Sequence, residues 1–272
     1  MRFLISLQRQ EKASFLPINY QYELSSLIYK TIDRADSTFS RFLHEQGYLA
    51  YGRRFRLFTF SRISFDSFRI VKDAGRIEHS GEQASFEISF MVDRAAEEFI
   101  KGLFMDQVLV LGDKISKVTY RVSGIEALPP PVFKEKMHYR CLSPIFLRRK
   151  RNEGGEDYLH PNDKDYGMLL LLNLLSKSRA FAGAGNEEPG QKVVEIPDFS
   201  FNASGKIFKN GVRIKQLTAQ ATMLVGYMYE FDFRAPVELQ EIAYYAGFGH
   251  LGSQGFGCVG VKGKGIKSGK NI

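Results

Sequence analysis

Three consecutive prolines, Pro129, Pro130 and Pro131, set the strongest limit on how this chain can fold. Each lacks a backbone N–H and fixes φ, and each pushes the residue before it out of the helical region, so neither a helix nor an inner strand can run across them. The chain is thereby split into two stretches of similar length, each obliged to bury a core of its own. Its 272 residues are enough for two modest domains or one large one. We place a first domain over residues 1–126, a linker over 127–137 and a second domain over 138–272.

Hydrophobic periodicity gives both stretches a similar plan. In the first, the alternation of Phe3, Ile5 and Leu7 predicts a strand, and Leu24, Leu27, Ile28 and Ile32 fall at helical spacing. Cap formers at Asp36 and Ser37 open a second helix that Gly47 ends, with Phe39, Phe42 and Leu43 on its apolar face. Residues 55–65 read as one strand, 68–71 and 86–90 as two more. Asp93 is expected to cap a helix carrying Ala96, Phe99, Ile100 and Leu103, and strands at 108–111 and 115–122 close the half. This order is close to a β-α-β-β-α-β ferredoxin-like unit with extra strands. The second stretch repeats the theme more loosely: a strand over 138–147, a helix from about 161 to 181, strands over 193–201, 206–212 and 219–233, a helix over 236–246 and a final strand near Cys258. The fold class is therefore α+β, two halves of like plan ending in a glycine-rich loop.

That loop is the best functional clue. No acidic residue follows Glu241, while Lys262, Lys264, Lys267 and Lys270 stand among glycines. Gly247, Gly249, Gly252, Gly255 and Gly257, with His250, Ser253 and Gln254 between them, allow a backbone at positive φ that can bring N–H groups to a ligand. With lysines near and no carboxylate, the expected ligand is a phosphate chain. Two G-x-G-x-x-G matches occur here, yet a helix precedes them and no acid follows, so the dinucleotide reading fails. Phe248, Leu251, Phe256, Val259 and Val261 are apolar anchors that favour one fixed shape. A net charge of +8 agrees with a polyanionic partner without demanding one.

Other classes are poorly supported. Two cysteines 117 positions apart suit a reducing compartment and match no metal spacing. The five histidines form no metalloprotease or deaminase pattern, and Glu153, Glu156, Asp157, Asp163 and Asp165 read as a solvated loop. No metal and no cofactor are expected. The apolar runs are too short for a signal-peptide core or a membrane helix, so a cytoplasmic protein with no membrane partner is expected.

His44 lies in the last turn of the helix ended by Gly47, where the helix dipole favours an imidazolium able to give a proton to a leaving alkoxide. Taken alone, that position is explained better by a surface or capping histidine. Arg53, Arg54 and Arg56 follow it, interleaved with Tyr48, Tyr51, Phe55 and Phe58, a mixture that suits RNA because guanidinium groups grip phosphate and rings stack on bases. Arg148, Arg149, Lys150 and Arg151 form a second basic run, either a further contact or a solvated loop.

The stretch from Leu43 to Tyr48 followed by Arg53 to Arg62 resembles the N-terminal region of the Cas6 family of CRISPR repeat-RNA endoribonucleases. The segment from Gly247 to Val259 resembles that family's glycine-rich C-terminal motif. The resemblance implies two tandem ferredoxin-like domains and a metal-independent endoribonuclease whose partner is CRISPR repeat RNA, before and after processing, and it leaves room for other CRISPR effector subunits. It implies that the 2′-hydroxyl attacks the adjacent phosphate, giving a 2′,3′-cyclic phosphate and a 5′-hydroxyl. By the same resemblance His44 is the catalytic histidine and Tyr29 the active-site tyrosine. The family's lysine, six positions past the histidine, is replaced by Ala50, and Arg53 or Arg54 can supply the missing charge. The implied RNA contacts are Arg56, Gly247, Gly249, His250, Gly252, Ser253, Gln254, Gly255, Gly257 and Lys262. The alternative is a repeat-RNA-binding subunit of an effector complex that has lost cleavage.

Overall fold

In the first strand, β1 (Arg2–Arg9), Phe3, Ile5 and Leu7 all point to one face and are buried, as period-2 alternation requires. The computed structural model describes residues 1–11, 15–151, 153–183, 195–214 and 219–261. Helix α1 (Gln21–Ala35) crosses the sheet and buries Leu24, Leu27, Ile28 and Ile32. Strands β2 (Phe58–Phe60) and β3 (Gln83–Phe90) follow, then helix α2 (Asp93–Met105), and then strands β4 (Val108–Gly112) and β5 (Lys117–Ala127). All pairings are antiparallel, in the order β4-β5-β1-β3-β2. Without the added edge strand β4, this is the β-α-β-β-α-β order.

The chain leaves β5 at Ala127 and re-enters a sheet at β6 (Lys136–Cys141). Helix α3 (Tyr166–Phe181), strands β7 (Ser200–Ile214) and β8 (Thr222–Arg234), helix α4 (Val237–Ala246) and strand β9 (Val259–Val261) complete a second sheet in the order β7-β8-β6-β9. This is the same order as the first. The fold is thus two tandem ferredoxin-like units, each with its own core: Phe58, Phe60, Phe90 and Phe99 dominate the first, Tyr139, Tyr166, Phe231 and Phe248 the second.

The units are joined by buried contacts. The Arg2 guanidinium, wholly buried, lies 2.9 Å from Glu87, donates to Cys258 Sγ at 3.1 Å and covers the Tyr244 ring at 4.3 Å. The Thr59 hydroxyl donates to the Phe256 carbonyl at 2.8 Å. The cleft between them is lined by residues of both units.

Several elements differ from the sequence reading. Residues 55–65 do not form one strand: Leu57 takes φ +55° and separates Arg53–Phe55 from Phe58–Phe60, and irregular residues 61–63 separate the latter from Ser64–Phe65. The strand expected over 138–147 stops at Cys141. Of the strand expected over 193–201, residues 193–194 lie outside the described residues and 195–199 are irregular; its end joins the strand expected over 206–212 in one strand, β7, with an irregular register between Ser204 and Phe208 where Gly205 takes φ +66°. Asp93 lies in the first turn of α2, and Val92 occupies the cap. A strand at Arg76–His79 had no alternation strong enough to reveal it.

Candidate active site and RNA cleft

Asp36 accepts a hydrogen bond from the Phe39 N–H at 2.9 Å and so opens the short helix Ser37–Arg41. The next five residues, Phe42–Gln46, form a wide π turn, closed by the Gly47 N–H on the Phe42 carbonyl at 2.7 Å. Such turns redirect a side chain that a regular helix would place elsewhere. Here the redirected residue is His44, which is exposed, with Leu43 buried beneath it.

The hairpin Tyr48–Ala50 and Arg53–Phe55 lies beside this turn. Arg56 donates from Nε to the Leu43 carbonyl at 3.0 Å and from its terminal nitrogen to the His44 carbonyl at 2.6 Å, while Arg54 donates to the Glu45 carbonyl at 3.0 Å. The carbonyls a helix end leaves unsatisfied are thus taken by two of the three arginines. Arg53 donates to none of them. It pairs across the hairpin with Ala50, whose side chain is fully buried.

Tyr29 projects from α1 and meets His44 edge-on, ring centroids 5.3 Å apart and planes at 87°. Burial pushes its hydroxyl above the ordinary tyrosine range, and hydrogen bonds with Ser253 and Arg56 only partly offset this. The phenol therefore stays protonated at neutral pH and is a donor.

The glycine-rich loop forms the opposite wall. Gly247, Gly249, Gly255 and Gly257 all take positive φ. At Gly257 a β-carbon would lie 2.0 Å from the Phe248 carbonyl oxygen, and at Gly252 one would lie 2.8 Å from the Phe58 carbonyl oxygen in β2. The glycines serve backbone-to-backbone approach, within the loop and across to the first unit. The N–H groups of Phe248, His250, Gln254, Gly255 and Gly257 all bond backbone carbonyls, so the loop is less a row of bare donors than its composition suggests. The Ser253 carbonyl accepts from the Ser25 hydroxyl at 2.6 Å.

A cleft of about 1470 Å³ separates these walls. It brings together Tyr29, His44, Arg53, Arg54, Arg56, Gly249, His250, Gly252, Ser253 and Gln254. Gly247, Gly255 and Gly257 are buried behind it rather than lining it, and Lys262 lies outside the described residues. Arg148, Arg149 and Lys150 also line the cleft, and Arg148 and Arg149 pair with Glu156 and Asp165 of the acidic stretch. Among the described residues that line the cleft there is no aspartate or glutamate.

His250 accepts the Arg148 N–H on Nδ1 at 3.3 Å. Burial, with Lys177, Arg148 and Arg53 nearby, pulls its imidazole down to about 3, so it is neutral at physiological pH. Lys177 was not foreseen. Its buried ammonium donates to the carbonyls of Ala246, Gly247 and Gly249 at 3.2, 2.5 and 2.8 Å and fastens the start of the loop to α3. Burial pulls it down to about 7, while the carbonyl end of α4 favours the charged form. The one signal in the sequence was a lone cation three positions past Leu174, on the apolar stripe of α3.

Two family models match nearly end to end: "CRISPR-associated protein Cas6, N-terminal" over residues 15–125 and "CRISPR associated protein Cas6, C-terminal" over 128–261. The chain is 29% identical over 262 residues to CRISPR-associated endoribonuclease Cas6 1 of Methanocaldococcus jannaschii, covering 95% of this chain and 92% of that protein. It is 28% identical to CRISPR-associated endoribonuclease Cas6 of Pyrococcus furiosus over 267 residues, 97% of this chain and 90% of the other. A solved structure described as CRISPR associated protein Cas6 superposes with a TM-score of 0.71 at 28% identity, covering 96% and 98% of the two chains. The product of a Cas6-related gene from Pyrococcus furiosus shares the fold at a TM-score of 0.78 and 23% identity, covering 96% and 98%.

Proposed function

The chain belongs to the Cas6 family of CRISPR-associated proteins, and from that premise we propose that it is an endoribonuclease that cuts CRISPR repeat RNA in the cleft between its two units. The observation that carries the reading is the pairing of Tyr29 with His44 in a cleft lined by five arginines and no carboxylate among the described residues. Such a surface attracts a phosphate backbone, and the pair supplies proton-transfer groups at the place where that backbone would lie.

In this reading the ribose 2′-oxygen attacks the adjacent phosphorus as the bond to the 5′-oxygen breaks. The products are a 2′,3′-cyclic phosphate and a 5′-hydroxyl, with no metal in the step. His44 and Tyr29 share the two proton transfers, one taking the 2′ proton and the other protonating the leaving oxygen. Arg53 stabilises the charge that builds on the phosphorane, since it stands across from Ala50, where the family lysine is missing, and is not spent on the helix end. Residues 1–126 then carry the candidate catalytic side chains, 127–137 join the units, and 138–272 carry the glycine-rich loop that contacts RNA.

Ala50 also sustains a second reading, an RNA-holding effector subunit without cleavage. One experiment separates them: incubation with repeat RNA in EDTA, wild type against His44→Ala, with a second substrate carrying a 2′-deoxy sugar before the cut. Cleavage by wild type alone, blocked by the deoxy sugar and leaving cyclic phosphate ends, is expected. Tight binding with no cleavage by either protein would leave only the second reading.

A further inference from the structure

Four aromatic residues are interleaved with the arginines of the first unit, and the structure separates them sharply. Phe58 is core, packed on Phe90 at 5.5 Å. Tyr48 stands edge-on to Phe42 at 5.4 Å, and Phe55 is half-buried against the second core. Tyr51 alone of the four turns its ring out, 47% exposed on the rim of the cleft.

Its backbone makes that exposure costly. Tyr51 and Gly52 are the two central residues of the hairpin that pairs Ala50 with Arg53, with φ of +49° and +68°. This is the pattern of a type I′ turn, whose first central position favours asparagine, aspartate or glycine. A tyrosine there pays the left-handed penalty that L residues other than those avoid. Nothing in the core repays it, since the ring is half in solvent. Its ring is met by the Arg179 guanidinium, 5.0 Å from the ring centroid, with a terminal nitrogen 3.4 Å from the phenolic oxygen. Among the described residues no other ring or cation covers it.

We propose that Tyr51, backed by Arg179, is a stacking platform for one unpaired nucleobase of the RNA held in the cleft. The inference rests on the cleft being the RNA site and adds to it a position where a base must be splayed out. The ring offers one face to a base while the guanidinium holds the other. A ring fixed by a tight turn loses little freedom on stacking. Arg53, two residues on along the same hairpin, is placed to hold the phosphate next to that base.

The test uses the full chain and repeat RNA in which 2-aminopurine replaces one base at a time around the cut. The variants are Tyr51→Phe and Tyr51→Asn, the second giving the turn the Asn-Gly pair it prefers. In wild type one probe position is expected to be quenched, and Tyr51→Phe keeps the quenching. Tyr51→Asn relieves it and weakens binding by about 10-fold, the worth of one stacked base. Its melting temperature rises by about 2 °C, so folding and binding move in opposite directions, which a purely structural residue would not do. A wild type that binds RNA while Tyr51→Asn binds equally well with the same emission overturns the platform alone. A wild type that binds no RNA overturns the cleft reading and the platform together.

Discussion

Arg56 places its guanidinium on the carbonyl oxygen of His44, 2.6 Å away, and on that of Leu43, so the candidate catalytic turn is held from outside by a cation just past the strand Arg53–Phe55. The sequence suggested that Arg56 reaches RNA. Its geometry suits a different duty, holding the backbone that aims the imidazole at Tyr29. Arg56→Ala is therefore expected to cut the single-turnover cleavage rate by about 100-fold, as misplacing a reacting group by an ångström does. RNA affinity should fall far less. Equal losses in rate and affinity would make Arg56 a phosphate contact.

Lys177 satisfies three loop carbonyls at once, and Lys177→Met leaves them buried without a donor. We expect a loss of about 2–4 kcal/mol in stability and a melting temperature lower by roughly 5–15 °C. Thermal unfolding measures this directly. An unchanged melting temperature would mean that the loop keeps its shape unaided.

His250 gives the molecule an acid sensitivity whose sign is fixed. Its imidazole titrates near 3 when folded against an ordinary 6.5. Between those values the unfolded chain binds a proton that the folded chain refuses. The stability it contributes is complete above about 6.5 and drains away as pH falls toward 3. His250→Asn should flatten the fall in melting temperature between pH 7 and pH 4. A slope as steep as that of wild type would show that the ring is protonated in the fold.

Two glycines of positive φ make a matched pair. Gly257→Ala would put a β-carbon 2.0 Å from the Phe248 carbonyl oxygen and is expected to abolish the fold or the docking of the loop. Gly52→Ala meets nothing within 4 Å and should cost only about 1–2 kcal/mol, from φ alone. Circular dichroism and melting curves of the two proteins compare strain with collision.

Much of the fold was legible because its signals are local. The alternation of Phe3, Ile5 and Leu7, the cap at Asp36 and the stop at Gly47 each depend on a few neighbouring residues, and each is found in place. The break at Leu57 was hidden because a leucine at positive φ has no local signature; its main chain turns where the two units meet, and its carbonyl accepts from Met91. Residues 142–147 kept the look of a strand because Ile145, Phe146 and Leu147 are buried, yet burial there comes from packing beneath the loop and not from a ladder.

The candidate site was legible by residue type and illegible in depth. Arg53, Arg54 and Arg56 are nearly adjacent in sequence, but only the hydrogen bonds show that two of them hold a helix end. The glycine loop was found by composition, yet which glycines face the cleft depends on β2, almost two hundred positions away. Lys177 stayed hidden because a lysine on an apolar helix looks like an exception until the carbonyls at the end of α4 and the start of the glycine loop come to meet it.

The glycine loop touches Phe58, Thr59 and Phe60 so closely that hardly a carbon atom could be added between them. One consequence concerns inheritance more than chemistry. The first half of this protein cannot be exchanged with that of a distant relative as an independent cassette, because the rim of β2 and the bare backbone at Gly247, Gly252 and Gly255 are cut to each other's shape. A recombinant that crosses between residues 127 and 137 would retain its prolines and both sheets, and lose the seam that brings Ser253 to Tyr29.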